Sequence, residues 1–320
     1  MGDSRYASYG TDLQDIRKLL PPDFPHCELA PAFIKDIERL PVPKREIVAW
    51  TAAIAAEFER ENWQIPGFEF ASYGLADPIA EGVNEFCVIA WCDPNVKSSG
   101  FYRDILVSGH SFNIFVRPAF FSQHSPNVHP YQGRTTCYAT APRVGNPLIL
   151  TAKHVLEAHL KRRPTQGDTI PLADGTGQML VDPISMKIMR GTVPFSSPGQ
   201  IDAAVVETPQ GVVPSTGTPF SAEKQVAVWE DTKITFPSGT RDAKVTSVTD
   251  TRGSTDPRLD IRVFFDQWGV NGDSGSLILN GTNGVAIYTG EITTASGNSE
   301  GVGQHLEQAR VAMNLTLLTG

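Results

Sequence analysis

Gly272-Asp273-Ser274-Gly275-Ser276 stands between a strand-like run ending near Asp266 and the apolar run Leu277-Ile278-Leu279. A serine hydroxyl is a poor nucleophile unless a base takes its proton and fixed donors receive the charge that develops on the substrate oxygen. Glycine close on both sides lets the backbone turn sharply and leaves room for a carbonyl to approach the amides. The string therefore reads as a candidate for acyl-transfer chemistry. Turns are rich in the same residues, so its meaning depends on what else the chain supplies.

One alternative is the nucleophile elbow of an α/β-hydrolase, spelled Gly-x-Ser-x-Gly with its acid and histidine downstream. Here Ser276 stands in the place of the second glycine. After Ser274 the only histidine is His305, with Glu291 and Glu300 the only acids between them, and residues 275–320 are too few for the rest of a doubly wound sheet. Upstream the pieces fit better. Thr151-Ala152-Lys153-His154-Val155 puts a histidine just past the apolar run Leu148-Ile149-Leu150, and Ile201-Asp202-Ala203-Ala204-Val205-Val206 puts an aspartate at the head of another. A buried carboxylate there can accept from one imidazole nitrogen and fix the tautomer, leaving the other nitrogen for the serine. The order along the chain is His154, Asp202, Ser274.

Thr-Ala-Lys-His resembles the Thr-Ala-Ala-His motif of the trypsin/chymotrypsin-like serine peptidases, and Gly-Asp-Ser-Gly resembles their nucleophile motif. The resemblance covers about residues 130 to 320 and is nearest the compact bacterial and viral members. It implies a mainly β fold: a chymotrypsin-like double β-barrel of two six-stranded units with a C-terminal helix, preceded by an α+β N-terminal domain. It also implies roles. His154 would be general base and then acid, Asp202 would orient it, Ser274 would attack the scissile carbonyl, and the amides of Gly272 and Ser274 would form the oxyanion hole. No cofactor or metal is implied, and the partner is a polypeptide substrate.

The chain departs from the family pattern in ways that matter. Val155 replaces the cysteine that commonly follows the histidine, so a disulfide at that point is absent, in keeping with a reducing compartment. No Ile-Val-Gly-Gly start precedes the domain, and Arg143-Val144-Gly145 lies too close to His154 to serve. Asp273 must then be satisfied by another group, or its loop waits for something to order it. Trp268 occupies the position six before the nucleophile, an aspartate in trypsin-like enzymes, so cleavage after Lys or Arg is not supported. The wall strand of the specificity pocket falls in Ala286 to Gly290, which offers Tyr288, Thr289 and Gly290 as substrate-facing residues beside Trp268.

Composition bounds the rest. The chain has 320 residues, 40% hydrophobic and 19% charged, and a net charge of −8. That excludes a disordered or fibrous chain and disfavours phosphate-backbone binding, so nucleic acid is not the expected partner. No apolar run is long enough to cross a bilayer, and the N-terminus lacks the basic start and apolar middle of a secretion signal. A cytoplasmic protein is the expectation. Cys27, Cys87, Cys92 and Cys137 are too few and too irregular for a disulfide framework. His124 and His129, with His110 nearby, lack the converging partners of a metal site.

Helical character marks Asp12 to Leu20, Pro31 to Leu40 and, above all, Pro43 to Asn62, where Ile47, Trp50, Ile54 and Phe58 recur at spacings of three and four. Strands follow at Phe86 to Trp91, Ile105 to Val107 and Phe112 to Val116. Ser122 to Arg134, with its prolines and Gly133, is the expected border between a domain over 1–125 and a domain over 126–320. Beyond it, strands are expected at Thr135 to Ala141, Leu148 to Thr151, Ala203 to Glu207, Val226 to Trp229, Lys233 to Phe236, Lys244 to Val248, Asp260 to Asp266, Ser276 to Leu279 and Val285 to Thr293. Helices are expected from Ala152 to about Arg163 and around Leu306, Ala309 and Met313. The reading is an intracellular serine endopeptidase whose N-terminal domain regulates it or recruits a protein partner. The alternative is a catalytically silent module on the same fold that binds peptides or partner proteins.

Overall fold

The computed structural model describes residues 23, 38, 40–62, 67–76, 86–95, 100–123, 133–142, 144–162, 169–173, 179–187, 201–207, 219–224, 226–236, 239–249, 262–294 and 297–319. The expected helix at 12–20 and most of that at 31–40 lie outside them. Two six-stranded units carry the region after residue 133. The first is a sheet of β5 (Cys137–Thr140), β6 (Leu148–Thr151), β7 (Thr169–Ala173), β8 (Met179–Lys187), β9 (Ala204–Glu207) and β16 (Thr316–Leu318), in the order β16-β5-β6-β9-β8-β7. The second comprises β10 (Asp231–Phe236), β11 (Gly239–Val248), β12 (Arg262–Phe265), β13 (Leu277–Asn280), β14 (Asn283–Thr294) and β15 (Ser299–His305). Its order is β10-β13-β14-β15-β12-β11, and a β10–β11 hairpin closes it into a barrel.

The N-terminal strands do not form a sheet of their own. Between β1 (Phe68–Leu75), β2 (Phe86–Cys92), β3 (Gly100–Val107) and β4 (His110–Gln123) the order is β1-β2-β4-β3; β1 pairs β11, and the far end of β4 pairs β14. The strands β14, β15, β12, β11, β1, β2 and β4 thus make a second closed ring that shares four strands with the barrel. The apolar reading of Phe86 to Trp91 follows from this position. Val88, Ala90 and Cys92 enter one core cluster, while Cys87, Ile89 and Trp91 enter another with Phe70, Phe115, Phe264, Ile292 and Val302. A strand buried on both faces has no polar alternation to show.

Helix α1 (Val42–Asn62) lies against β1, β2 and β3. It buries more than the stripe its periodicity marks: Val48, Ala49, Ala52, Ala53, Ile54, Ala55 and Phe58 all enter the core, the alanines allowing close approach. Its buried Glu59 accepts the Ala71 N–H of β1 at 2.8 Å. Helices α2 (Lys153–Leu160) and α3 (Leu306–Ala312) stand where the sequence places helices, and Leu306, Ala309 and Met313 are buried as expected.

One expected strand is absent. Val226 to Trp229 is a buried turn in which Trp229 adopts φ 75° and donates its N–H to the Val245 carbonyl at 2.9 Å. Ala227 gives its own N–H to a Glu230 carboxylate oxygen at 3.0 Å. Its apolar residues seal the barrel without joining a ladder. Strands β1, β7, β8, β15 and β16 are additions to the sequence reading.

Candidate active site

The strand register brings His154 to Asp202. Antiparallel β6 and β9 pair Thr151 with Ala204, so the residues running out of β6 into α2 pass those that lead into β9. His154, the second residue of α2, donates its backbone N–H to Asp202 Oδ1 at 3.1 Å, and its Nδ1 lies 2.6 Å from Oδ2. Both residues are buried. Burial alone would raise the Asp202 carboxyl; the charge of His154, the two hydrogen bonds from it and the charge of Lys153 together hold it below its ordinary value. The remaining ring nitrogen of His154, Nε2, is buried and has no hydrogen-bond partner among the described residues.

Asp202 also ties the two six-stranded units together. Its N–H donates to Gln304 Oε1 at 3.1 Å, and Gln304 sits on β15 opposite Ile287 of β14. Nothing in the local sequence marks Gln304. Only the glycines at 301 and 303 hint at a strand whose one face must come close to its neighbours. A Cβ on Gly301 would lie 2.2 Å from the Gln267 carbonyl.

Ser274 occupies the turn between β12 and β13, fully buried. Gly272 and Gly275 hold φ of 97° and 92°, a region open to glycine at little cost. A Cβ on Gly275 would also fall 2.1 Å from the Arg134 carbonyl oxygen. Two backbone bonds lock the turn onto β14: Gly275 N–H to the Tyr288 carbonyl and Tyr288 N–H to the Ser276 carbonyl, each 2.8 Å. The Ser274 hydroxyl donates to the Thr289 carbonyl at 3.2 Å.

Residues 133–134 run between the histidine and the serine. The Arg134 N–H donates to the Ser274 carbonyl at 2.8 Å, and the Arg134 carbonyl accepts from Thr151 Oγ1 at 2.6 Å, three residues before His154. Gly133 packs so closely on Val155 that a Cβ would meet its Cγ1 at 2.0 Å. His154, Asp202 and Ser274 therefore border one junction between the two units, although they are far apart in the chain.

The Asp273 question has a local answer. Its Oδ2 accepts the Val270 N–H at 2.8 Å, and the Asp273 N–H returns to the Val270 carbonyl at 3.1 Å, so the carboxylate folds its own loop. Tyr288 braces the same loop by accepting the Gly269 N–H at its hydroxyl, 2.7 Å away. This corrects the placement of the Tyr288 side chain against substrate: it is fully buried, edge-on to Phe236, and burial pushes its phenol upward. Thr289 is also turned inward, its hydroxyl bonded to the Val302 carbonyl at 3.1 Å; only its main chain faces Ser274. Trp268 remains partly exposed, with its carbonyl held by Arg241, and the exposed Val270 stands two residues on. Gly290 pairs with Gln123 of β4.

No family model and no curated protein matches the chain. Solved structures that it resembles include a Nocardiopsis protease (NAPase), with 16% identity and TM-score 0.42, covering 58% of this chain and 92% of that one. Protease A of Thermobifida fusca matches at 15% identity and TM-score 0.41, over 64% of this chain and 97% of its own. A chymotrypsin from Cellulomonas bogoriensis matches at 15% and 0.40, over 59% and 92%. Nearly all of each bacterial protease is covered, while more than a third of this chain falls outside each match.

Proposed function

We propose that this chain is a serine endopeptidase in which His154, Asp202 and Ser274 form the catalytic triad. The observation that carries the reading is the buried His154–Asp202 pair at 2.6 Å, whose Nε2 has no hydrogen-bond partner among the described residues, with Arg134 bonded both to the Ser274 carbonyl and to Thr151, three residues before His154. In the proposed reaction the Ser274 hydroxyl swings from the Thr289 carbonyl towards Nε2 and gives it the proton as Oγ attacks the scissile carbonyl carbon. The amides of Gly272 and Ser274 receive the oxyanion. The C–N bond then breaks and the imidazolium returns the proton to the leaving amine. Water, deprotonated by the same nitrogen, releases the acyl group as a free acid and restores the hydroxyl.

The substrate is a polypeptide, and residues 1–125 regulate access to it or recruit a protein partner. Work in the cytoplasm is supported by Val155 in place of the cysteine that commonly follows the histidine. Labelling with a fluorophosphonate tests the core of the reading. Wild type should label at Ser274 and lose labelling in Ser274→Ala and His154→Ala. A folded wild type that never labels would place the chain with silent peptide-binding modules on this fold.

A further inference from the structure

The sheet edge beside the serine is already taken. β13 pairs β14 only as far as Leu277 opposite Ile287, and past that point the β14 backbone carries the Thr289 carbonyl that accepts from Ser274. From Gly290 to Thr294 the partner of β14 is β4, antiparallel and in unbroken register: Gln123 opposite Gly290, Ser122 opposite Glu291, Phe121 opposite Ile292, Phe120 opposite Thr293 and Ala119 opposite Thr294. The direction carries the argument. A peptide added as a strand to this edge gains main-chain hydrogen bonds along it. To bring the carbonyl that follows its paired residues to Ser274, it must run from Thr294 towards Thr289. β4 runs in that direction, and its last paired residue stands one position from Thr289.

We infer that residues 119–123 of β4, laid down on the Gly290–Thr294 edge of β14 with the polarity of a substrate, are a built-in block that must leave before an extended peptide can reach Ser274 along that edge. This rests on the endopeptidase reading and deepens it. Regulation consists of displacing the β4 end from β14. The body of β4 stays anchored meanwhile, because Val88 to Cys92 of β2 pair with Ile114 to Pro118 upstream of the displaced run.

The test separates access from chemistry in the full-length protein. Successive N–H groups along a strand point to opposite edges, so one of Phe121→Pro and Ser122→Pro removes a hydrogen bond to β14. That variant should raise kcat/KM for an extended peptide by roughly three- to tenfold, the equilibrium shift of one lost hydrogen bond. Fluorophosphonate labelling of Ser274, which needs no strand docking, should stay at the wild-type rate. A second variant, S122C with E291C, places cysteines directly opposite one another. Oxidised, it should lose peptide turnover and keep labelling; reductant should restore turnover. Equal turnover in the oxidised and reduced forms, with the crosslink verified by mass, overturns the inference and leaves the endopeptidase reading standing. Absence of labelling in every folded form overturns both.

Discussion

Arg117 of β4 and Glu300 of β15 form an ion pair sealed from solvent, their side chains 2% and 0% exposed. Thr246 of β11 donates to the second Glu300 oxygen at 2.6 Å, and the Arg117 guanidinium lies 4.8 Å from the centre of the Trp91 ring. One charge comes from the N-terminal strands and the other from the barrel. Removing one partner of such a pair leaves a buried charge uncompensated, whereas replacing both is far better tolerated.

Arg117→Met should therefore lower unfolding stability by about 3–5 kcal/mol, and the double variant Arg117→Met with Glu300→Met should recover most of the loss. Urea unfolding of the three proteins checks this. A single variant within about 1 kcal/mol of wild type would mean that the pair is hydrated. The same reasoning predicts that a chain beginning at residue 126 will not fold as a stable barrel. It would lack the partner of Glu300 and expose the β11 and β14 edges that β1 and β4 cover.

Tyr288→Phe isolates the brace under the serine loop. The Gly269 N–H loses its acceptor in a buried place, at a cost of about 1–3 kcal/mol. Because the 269–273 loop leads into the amides proposed for the oxyanion, kcat should fall more than KM rises. An unchanged kcat with the expected loss of stability would make the hydroxyl purely structural.

The triad candidates were legible because each sits in a short motif whose neighbours are fixed locally: a strand end before His154, a strand start after Asp202, glycines around Ser274. The closed barrel was legible for a similar reason, since most of its strands alternate or run apolar between turn residues. The fusion of the N-terminal strands with the barrel was not. A pairing such as Gln123 with Gly290 depends on a register between segments more than 150 residues apart, and a single sequence holds no periodicity that records it. Gln304 and Arg134 escaped notice likewise, because one acts through a side-chain carbonyl and the other through its backbone. The inward turn of both Tyr288 and Thr289 was equally hidden, because a register irregularity of β14 between Tyr288 and Gly290 breaks the simple alternation that a sequence reading relies on.

Burial, with a contribution from the charge of Glu223, pushes the Cys137 thiol up to about 12. The thiolate is the species that alkylates. At pH 8 the folded protein should therefore react with iodoacetamide at Cys137 roughly a thousandfold more slowly than the unfolded chain, whose cysteines titrate near 8.5. Peptide mass mapping with and without denaturant reads this directly. Rapid modification of the native protein would show that β5 opens readily, contrary to its burial between β6 and β16.

Asp202→Asn tests the carboxylate as a charge and as an acceptor while keeping its shape. The amide can donate to Nδ1, which forces the proton of a neutral imidazole onto Nε2, the wrong nitrogen for a base. kcat should fall by about 10³–10⁴, as expected where the orienting acid is lost and the geometry kept. Because the folded carboxyl is held below its ordinary value, its stabilising contribution is present above the unfolded value of about 3.9 and is lost as pH falls through the folded one. The stability difference between wild type and Asp202→Asn should accordingly be full near neutrality and narrow below about pH 4. Acid titration of both proteins by circular dichroism, beside their fluorophosphonate labelling rates, checks the two halves. A variant that labels as fast as wild type would remove Asp202 from the triad, whatever its effect on stability.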